Sequence, residues 1–483
     1  MLKLFCLGLI VFCIVKITAQ NNFTFTNDSY SGINSAIFSP TQPFLNPNPW
    51  DVNLVSADLF LQNDYTYISK QSLFGLAGTP IQLANPKRGI TGETQPGVFD
   101  FYNKENASLM FNSDILGPSF SMTANIKEKK YVFGFFSRLR SQASVLDLDN
   151  YLRFGNEMIK QPEFYEMKPF SSIAMNWNEI GLNAATTIFP TSDKQWILGL
   201  NLKYEMGLDA ANIISHQDIK LTATEPAIGD NPELMNIYAS DYNVSVNYIT
   251  NYNSETKRYD YKQNGSGLGL DLALTMIDKN PREDEYQTKF SFNILDLGYV
   301  NFKQGSNHSF VNGNTVWLQN NPNLEDQEFE SPEQYLKLLS KEAYGDENKS
   351  FVGNGFKIGL PTSINLNYSQ RIKENHFVNF NWIQRVPVFE NSVKRNNILN
   401  ANYSVQKAAI GYGISTTLSE YKSLQFGGYF RIGPLILGSE NAFPLLFKQK
   451  HLHAANFYIA IKLYPFWDNE MKRHRRQECD CEK

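Results

Sequence analysis

Charged residues are scarce in this chain, and their signs nearly cancel. Asp, Glu, Lys and Arg make up only 19% of the 483 residues, and the formal net charge is −4 at pH 7. A protein that binds nucleic acid needs a basic patch or a clear positive excess to attract phosphates. The composition therefore argues against nucleic acid as a partner.

Long apolar segments are absent after the N-terminus. A membrane-spanning helix needs about 20 consecutive apolar residues, and beyond the N-terminal segment no run approaches that length. If the chain crosses a bilayer, we expect it to cross with β-strands.

Cysteine is rare as well. Of the four cysteines, Cys6 and Cys13 lie in the N-terminal apolar segment, and Cys479 and Cys481 are separated by one residue. Two cysteines so close form a poor intramolecular disulfide, so no disulfide framework is expected. With His474 the last two give only a weak metal signal, and we expect neither a metal nor a cofactor.

The N-terminal residues predict export. Lys3 precedes the apolar segment LFCLGLIVFCIV, and KITAQ follows with the small residue Ala19 at the expected cleavage position. This order is typical of a secretory signal peptide. We therefore predict a signal peptide at residues 1–19 and a mature chain that starts at Gln20.

Apolar residues recur at every second position in many segments. In SGLGLDLALTM, residues 266–276, four leucines alternate with Gly, Asp and Ala, and WILGLNLKYEM, YVFGFFSRLR and NHFVNFNWIQR follow the same rule. A soluble sandwich also alternates, but its strands are usually about 5 or 6 residues long. Runs of about 10 residues with Gly, Asn and Ser on the second face are typical of tilted strands that cross hydrocarbon.

The connections between these strands are of two kinds. Short polar turns occur at 127–130, 190–194, 278–285 and 373–376, and long connections occur at about 75–115, 146–168, 211–262 and 303–355. Short periplasmic turns that alternate with long extracellular loops are typical of bacterial outer-membrane barrels. We predict an all-β fold, a closed antiparallel transmembrane barrel of about 12–14 strands at residues 51–466, followed by a polar periplasmic tail at 467–483.

Several segments also carry a resemblance to known proteins. The segments are YSGINSAIFSPTQPFLNPNPWDVNLVSADLFLQNDYTYIS, DILGPSFSMTANI with FSRLR, NWNEIGLNAA, FSFNILDLGYVNF, GLPTSINLNY and FGGYFRIGPLILGSEN. In this order the chain resembles a Bacteroidota family of outer-membrane β-barrels, a domain of unknown function. More distantly it is similar to long-chain fatty-acid transporters and to barrel subunits of type IX secretion. Where relatives tend to have Asn-Pro-Ala, this chain has Ser39-Pro40-Thr41. The resemblance implies a fold and an outer-membrane location, with outer-membrane lipid around the barrel, but no substrate.

Charged residues on the face opposite the apolar one are expected to point into the lumen. These candidate site residues are Arg138, Arg140, Lys203, Glu205, Asp271, Arg385, Lys407 and Arg431. One interpretation is a structural network in which they pair across neighbouring strands, with Glu205 and Asp271 as the acids for the arginines. The other is a basic constriction that selects anions or acidic head groups. The sequence favours the network and leaves both open.

Two further segments stand out. Residues 20–50 contain Pro40, Pro43, Pro47 and Pro49 and suit neither a long helix nor a central strand. They are either a periplasmic lead-in or a hatch tucked into the lumen, as the fatty-acid transporter resemblance implies. In the longest loop, SPEQYLKLLSKEAYG at 331–345 predicts a short helix.

No enzyme signature is present, so we predict that the protein is not an enzyme. Two functional classes remain open. The first is a transport barrel that binds or passes small amphipathic or lipid-like molecules. The second is a structural or docking barrel that recruits envelope or secretion proteins. A continuous lumen with a lateral opening would favour the first class, and a lumen sealed by side chains and hatch would favour the second.

Overall fold

The computed structural model of the protein describes residues 23–85, 88–102, 106–148, 162–191, 194–227, 235–253, 256–279, 286–325, 329 and 331–465. The expected signal peptide at 1–19 and the expected tail at 467–483 lie outside these residues. In the part that is described, no helix combines the length and the apolar character needed to cross a membrane.

Fourteen strands in the described residues form one large sheet. They are β1 (Trp50–Asn63), β2 (Ala107–Leu116 and Ser119–Ile126), β3 (Lys129–Leu148), β4 (Ser171–Pro190), β5 (Lys194–Ser215), β6 (Asn243–Ile249 and Gly265–Lys279), β7 (Tyr286–Val311), β8 (Phe351–Gly359 and Ser363–Lys373), β9 (His376–Arg385), β10 (Ile398–Gln406), β11 (Ile410–Ser419), β12 (Ser423–Ile432), β13 (Leu435–Ser439) and β14 (Ala454–Leu463). Each strand pairs antiparallel with its neighbours in the chain, and β14 pairs with β1. The predicted closed antiparallel barrel is confirmed, with 14 strands.

The two faces of the strands meet different surroundings, as the alternation predicts. Leu268 on β6 and Ile414 on β11 point outward and are 74% and 69% exposed. Their inward neighbours are polar and buried, such as Asp271 on β6 and Ser415 on β11. An apolar exterior around a polar interior is the reverse of a soluble protein and is typical of membrane barrels.

The long loop after β7 begins later than the sequence predicts. The alternation ends near residue 302, but β7 continues to Val311 and still pairs with the first segments of β6 and β8. The alternation is lost there because residues 303–309, KQGSNHS, carry no apolar side chain. Phe310, at the end of the strand, packs into an apolar core built by the loops.

Short elements complete the chain. The helices are α1 (Phe23–Thr26), α2 (Ile33–Ala36), α3 (Pro322–Glu325), α4 (Pro332–Tyr344) and α5 (Phe443–Leu446), with 3-10 turns at Gln42–Leu45 and Phe74–Gly78. Three small sheets lie in the loops: Glu163–Met167, Ile219–Thr224, Asn236–Ser240 and Val316–Gln319; Thr66–Gln71, Gln82–Leu83, Val98–Phe101 and Gln449–Leu452; and Tyr252–Asn253 with Arg258–Tyr259.

The helix predicted from residues 331–345 is α4. The hydroxyl of Ser331 accepts the N–H of Gln334, and Gly345 ends the helix with a left-handed backbone, φ 72°. Leu336 and Ala343 bury its apolar face in the loop core. Capping residues therefore located this helix correctly although it lies in a long loop.

Candidate functional site: the lumen and a gap in the barrel wall

A cluster of acidic and basic side chains lies in the lumen. Arg138 and Arg140 are two residues apart on β3, and both side chains are buried on its inward face. Arg138 binds Asp114 of β2 and, at 2.8 Å, Glu179 of β4. Arg140 donates to both oxygens of Asp296 on β7, at 2.9 and 3.0 Å, and to Glu179 at 3.2 Å. All five side chains are at most 4% exposed.

Asp296 is the centre of the cluster. It also accepts from Lys203 of β5 at 2.5 Å and from Arg395, in the connection between β9 and β10, at 2.7 Å. Its backbone is left-handed, φ 55°, next to a β-bulge against β6. A bulge re-aims a side chain, and here it lets one carboxylate meet three cations. Lys203 also binds Asp271 at 2.8 Å.

Glu205 lies in the same cluster without a hydrogen bond. It is fully buried and directly opposite Glu179 in the register of β4 and β5. Among the described residues, neither of its carboxylate oxygens has a hydrogen-bond partner. Gly269 leaves the space beside it, since a Cβ at that position would lie 2.5 Å from the Glu205 Oε1 atom.

The structure brings five of the eight candidate residues together: Arg138, Arg140, Lys203, Glu205 and Asp271. The other three lie elsewhere. Arg385 is half-buried and pairs with Glu420 at 3.1 Å, Lys407 is exposed in the turn after β10, and Arg431 pairs with Asp28 at 3.1 Å. The eight residues therefore do not form one site.

The acids that pair with the two arginines differ from those expected. Sequence reasoning selected Glu205 and Asp271, whereas Asp114, Glu179 and Asp296 make the contacts. Alternation along NWNEIGLNAA could have placed Glu179 in the lumen. No local sequence pattern predicts that Asp296 points into the lumen, because the bulge shifts the alternation of inward and outward side chains at this residue.

Residues 23–46, called here the lumenal segment, are buried or half-buried against inward side chains of the barrel. Asp28 is the only charged residue among them. Wall amides donate to its backbone oxygens: Asn201 to Ala36 at 2.8 Å, Asn183 to Pro40 at 2.9 Å and Asn365 to Phe38 at 3.2 Å. A cavity of about 10 Å³ lies between the segment and the wall at β8 and β9, which is about the room for one water.

The barrel wall has a gap beyond the C-terminal end of β13, called here the gap above β13. This strand has five residues and pairs with β12 only at 428–432 and with β14 only at 458–461. Within the described residues, no strand lies between 423–427 of β12 and 454–457 of β14. Neighbouring strands in a sheet are about 5 Å apart, so two strands that lack the strand between them are about 10 Å apart. Residues 440–447, called here the strap, cross this gap.

A cavity of about 260 Å³ lies in the gap. One part of its lining is apolar, with Leu424, Phe426, Phe443, Pro444 and Ala454, and the other is polar, with Ser423, Gln425, Asn441, Gln449, His451 and His453. Such a lining suits a small molecule with an apolar body and a hydrogen-bonding head.

The polar side of the cavity is held in place by loop aromatics. His451 stacks on Tyr67 with 4.1 Å between ring centroids, and Tyr102 hydrogen-bonds His453 at 3.1 Å. Burial lowers the pKa of His451, and the charge of Lys450 lowers it further. Both effects favour the neutral imidazole, which offers a hydrogen bond without a charge.

Comparison with solved structures finds other barrels at low similarity. A TodX monoaromatic hydrocarbon channel mutant (deltaS2S3) matches with 10% identity and a TM-score of 0.38, over 90% of this chain and 94% of that chain. A Pseudomonas aeruginosa FadL homologue matches with 8% identity and a TM-score of 0.22, over 93% and 100%. The Ralstonia pickettii toluene transporter TbuX matches with 8% identity and a TM-score of 0.21, over 89% and 93%. Similarity at this level carries no information on function.

No curated protein matches the sequence. The family of unknown function DUF5723 matches residues 46–440, which reach from the start of β1 to the end of β13. The chain therefore belongs to this family of unknown function.

Proposed function

We propose that this protein is an outer-membrane barrel that binds small amphipathic molecules in the gap above β13 and passes them when the lumenal segment shifts. The observation that carries the proposal is the cavity of about 260 Å³ at a break in the wall. Its apolar side continues the outer surface of the barrel at Leu424 and Phe426, which are 58% and 46% exposed. A molecule dissolved in the outer half of a bilayer can reach it sideways.

The outer-membrane location rests on the surface of the strands. Leu182, Leu202 and Leu268 are 60%, 54% and 74% exposed on the outer faces of β4, β5 and β6. A soluble protein rarely exposes a contiguous apolar band of this size. Lipid can cover such a band because the sheet closes on itself, so that the backbone groups of neighbouring strands pair with one another outside the gap.

In this proposal the lumenal segment is the hatch. Besides the buried ion pair of Asp28 with Arg431 at 3.1 Å, its contacts to the wall include hydrogen bonds of amides and hydroxyls, such as Thr41 with Thr275 of β6 at 2.6 Å. Water can replace such contacts one by one, because the net contribution of each is about 0.5–1.5 kcal/mol. The charged cluster around Asp296 is then a structural network rather than a ligand site, since each of its four cations, Arg138, Arg140, Lys203 and Arg395, pairs with an acid of the wall.

Photo-crosslinking tests the binding step. The probe is N-octyl 4-benzoylbenzamide, which has an apolar chain, an amide head and a photoreactive ketone. We expect crosslinks in peptides that contain 423–426 or 441–454, and at least a fivefold loss in Phe426→Ala. Phe430→Ala is the matched control, since Phe430 is also 46% exposed on β12 but lies outside the cavity. Equal labelling of both variants would contradict binding in the gap.

A second experiment tests the passing step. Thr275→Cys, with both tail cysteines changed to serine, places a thiol behind the lumenal segment. We expect a water-soluble maleimide to label this thiol faster when the probe is present. Labelling that stays absent with and without the probe would contradict a mobile hatch.

A docking barrel is the second candidate, because inward side chains of the described strands and most of residues 23–46 are buried against one another. In this alternative the lumenal segment is a permanent part of the interior, and the long loops bind an envelope or secretion protein. Absence of both the crosslink and the maleimide labelling would favour it.

A further inference from the structure

The gap and the lumenal segment are joined through one residue, Glu440. It follows β13 directly and is the first residue of the strap. Its side chain points into the lumen, whereas Asn441 lines the cavity and Phe443 is 54% exposed at the outer surface. Four consecutive residues thus connect the interior of the barrel with the lipid side of the gap.

The carboxylate of Glu440 holds the start of the lumenal segment. One oxygen accepts the backbone N–H of Thr24 at 2.8 Å, and the other accepts the Thr24 hydroxyl at 2.9 Å. The hydroxyl of Ser415 donates to the same carboxylate at 2.6 Å. Glu440 is 1% exposed, and no cation of the described chain pairs with it. A buried carboxylate with neutral donors depends on every one of them.

The position of Glu440 is in turn set by the strap. Its backbone N–H donates to the side chain of Asn456 on β14 at 2.5 Å. Two residues on, the N–H of Ala442 donates to the carbonyl of Phe426 on β12 at 2.8 Å. The rings of Phe426 and Phe443 meet edge to face with centroids 6.4 Å apart.

We propose that a small amphipathic molecule in the gap displaces the strap and withdraws Glu440 from Thr24, so that α1 is released first when the hatch opens. A molecule that inserts between Phe426 and Phe443 separates these rings and strains the bond from Ala442 to Phe426. Glu440 is only two residues from Ala442, so its carboxylate moves with the strap. This inference rests on the proposed function and adds how binding is communicated to the hatch.

Hydrogen exchange of the full-length protein in nanodiscs tests the coupling, with N-octyl 4-benzoylbenzamide as the probe. We expect the probe to speed exchange in peptides that contain residues 24–31 by at least about tenfold, which corresponds to about 1.4 kcal/mol. In Glu440→Gln this segment should exchange faster without the probe, and the probe should add less than twofold. Glu420→Gln is the control, because Glu420 pairs with Arg385 and touches neither Thr24 nor the cavity.

A second variant covers the case in which Glu440→Gln does not fold. Thr24→Val removes the hydroxyl bond from the side of the lumenal segment and leaves the strap intact, so exchange should rise without loss of crosslinking. If the probe crosslinks in the gap but does not change exchange of residues 24–31, the coupling is wrong and the binding proposal stands. If no crosslink forms in the gap, the proposed function itself is wrong.

Discussion

Replacing Asp296 by asparagine tests whether the lumenal charges are a structural network. Asparagine keeps the shape of the side chain, but it removes the charge that faces Arg140, Lys203 and Arg395 at 2.9, 2.5 and 2.7 Å. It also replaces one acceptor oxygen with an NH₂ group that points at a guanidinium. Breaking a buried ion pair from one side costs about 3–5 kcal/mol, because the remaining charge is left without compensation.

The assay is equilibrium unfolding by urea of the barrel refolded into phospholipid vesicles. We expect Asp296→Asn to lower the free energy of unfolding by about 3–5 kcal/mol. The control is Asp218→Asn, which breaks an exposed pair with Lys168 at 2.6 Å and should cost less than about 1 kcal/mol. Adding Arg395→Met to Asp296→Asn removes one uncompensated cation and should recover part of the loss.

Two results would refute this reasoning. A loss below about 1 kcal/mol for Asp296→Asn would mean that the cluster contributes no more than a surface pair. A double variant no more stable than Asp296→Asn would mean that uncompensated charge is not the cause. Either result, together with loss of anion binding, would favour the alternative in which these cations form an anion site.

Three further predictions concern the lipid face, the loop helix and the orientation. Leu202→Arg should destabilise folding into vesicles by about 2–4 kcal/mol if residue 202 lies near the midplane, whereas Phe164→Arg, on a loop strand and similarly exposed at 60%, should have little effect. Burial alone would raise the pKa of Glu333 in α4, but a hydrogen bond from Tyr248 and nearby positive charges lower it. The stability that its carboxylate provides is present above the ordinary glutamate pKa of about 4.3 and is lost as the pH falls below that value. Hydrogen exchange of α4 should therefore become faster in acid. Glu333→Gln should remove this pH dependence. Protease added to intact cells should cut within 312–350 and spare the tail after Phe466, and cleavage of the tail but not of this loop would reverse the predicted orientation.

Much of the fold follows from local features of the sequence. A strand places successive side chains on opposite faces, so alternation alone assigned Leu268 to the outside and Asp271 to the lumen. Capping residues alone located α4 from Ser331 to Gly345. These assignments depend on neighbours within a few residues, and for this reason they could be made before any partner was known.

Only the tertiary structure decided which inward residues meet. Arg140 and Asp296 are 156 positions apart, and their contact depends on barrel closure and on a bulge that the sequence does not mark. Arg395 belongs to a loop and carries no periodicity at all. The gap also depends on tertiary structure. It exists because β13 is shorter than β12 and β14, and a missing stretch of strand pairing can be recognised only when the neighbouring strands are known. The sequence by itself therefore determined the strands and their faces, whereas register, closure and strand length decided the charge pairs, the position of the lumenal segment and the break in the wall.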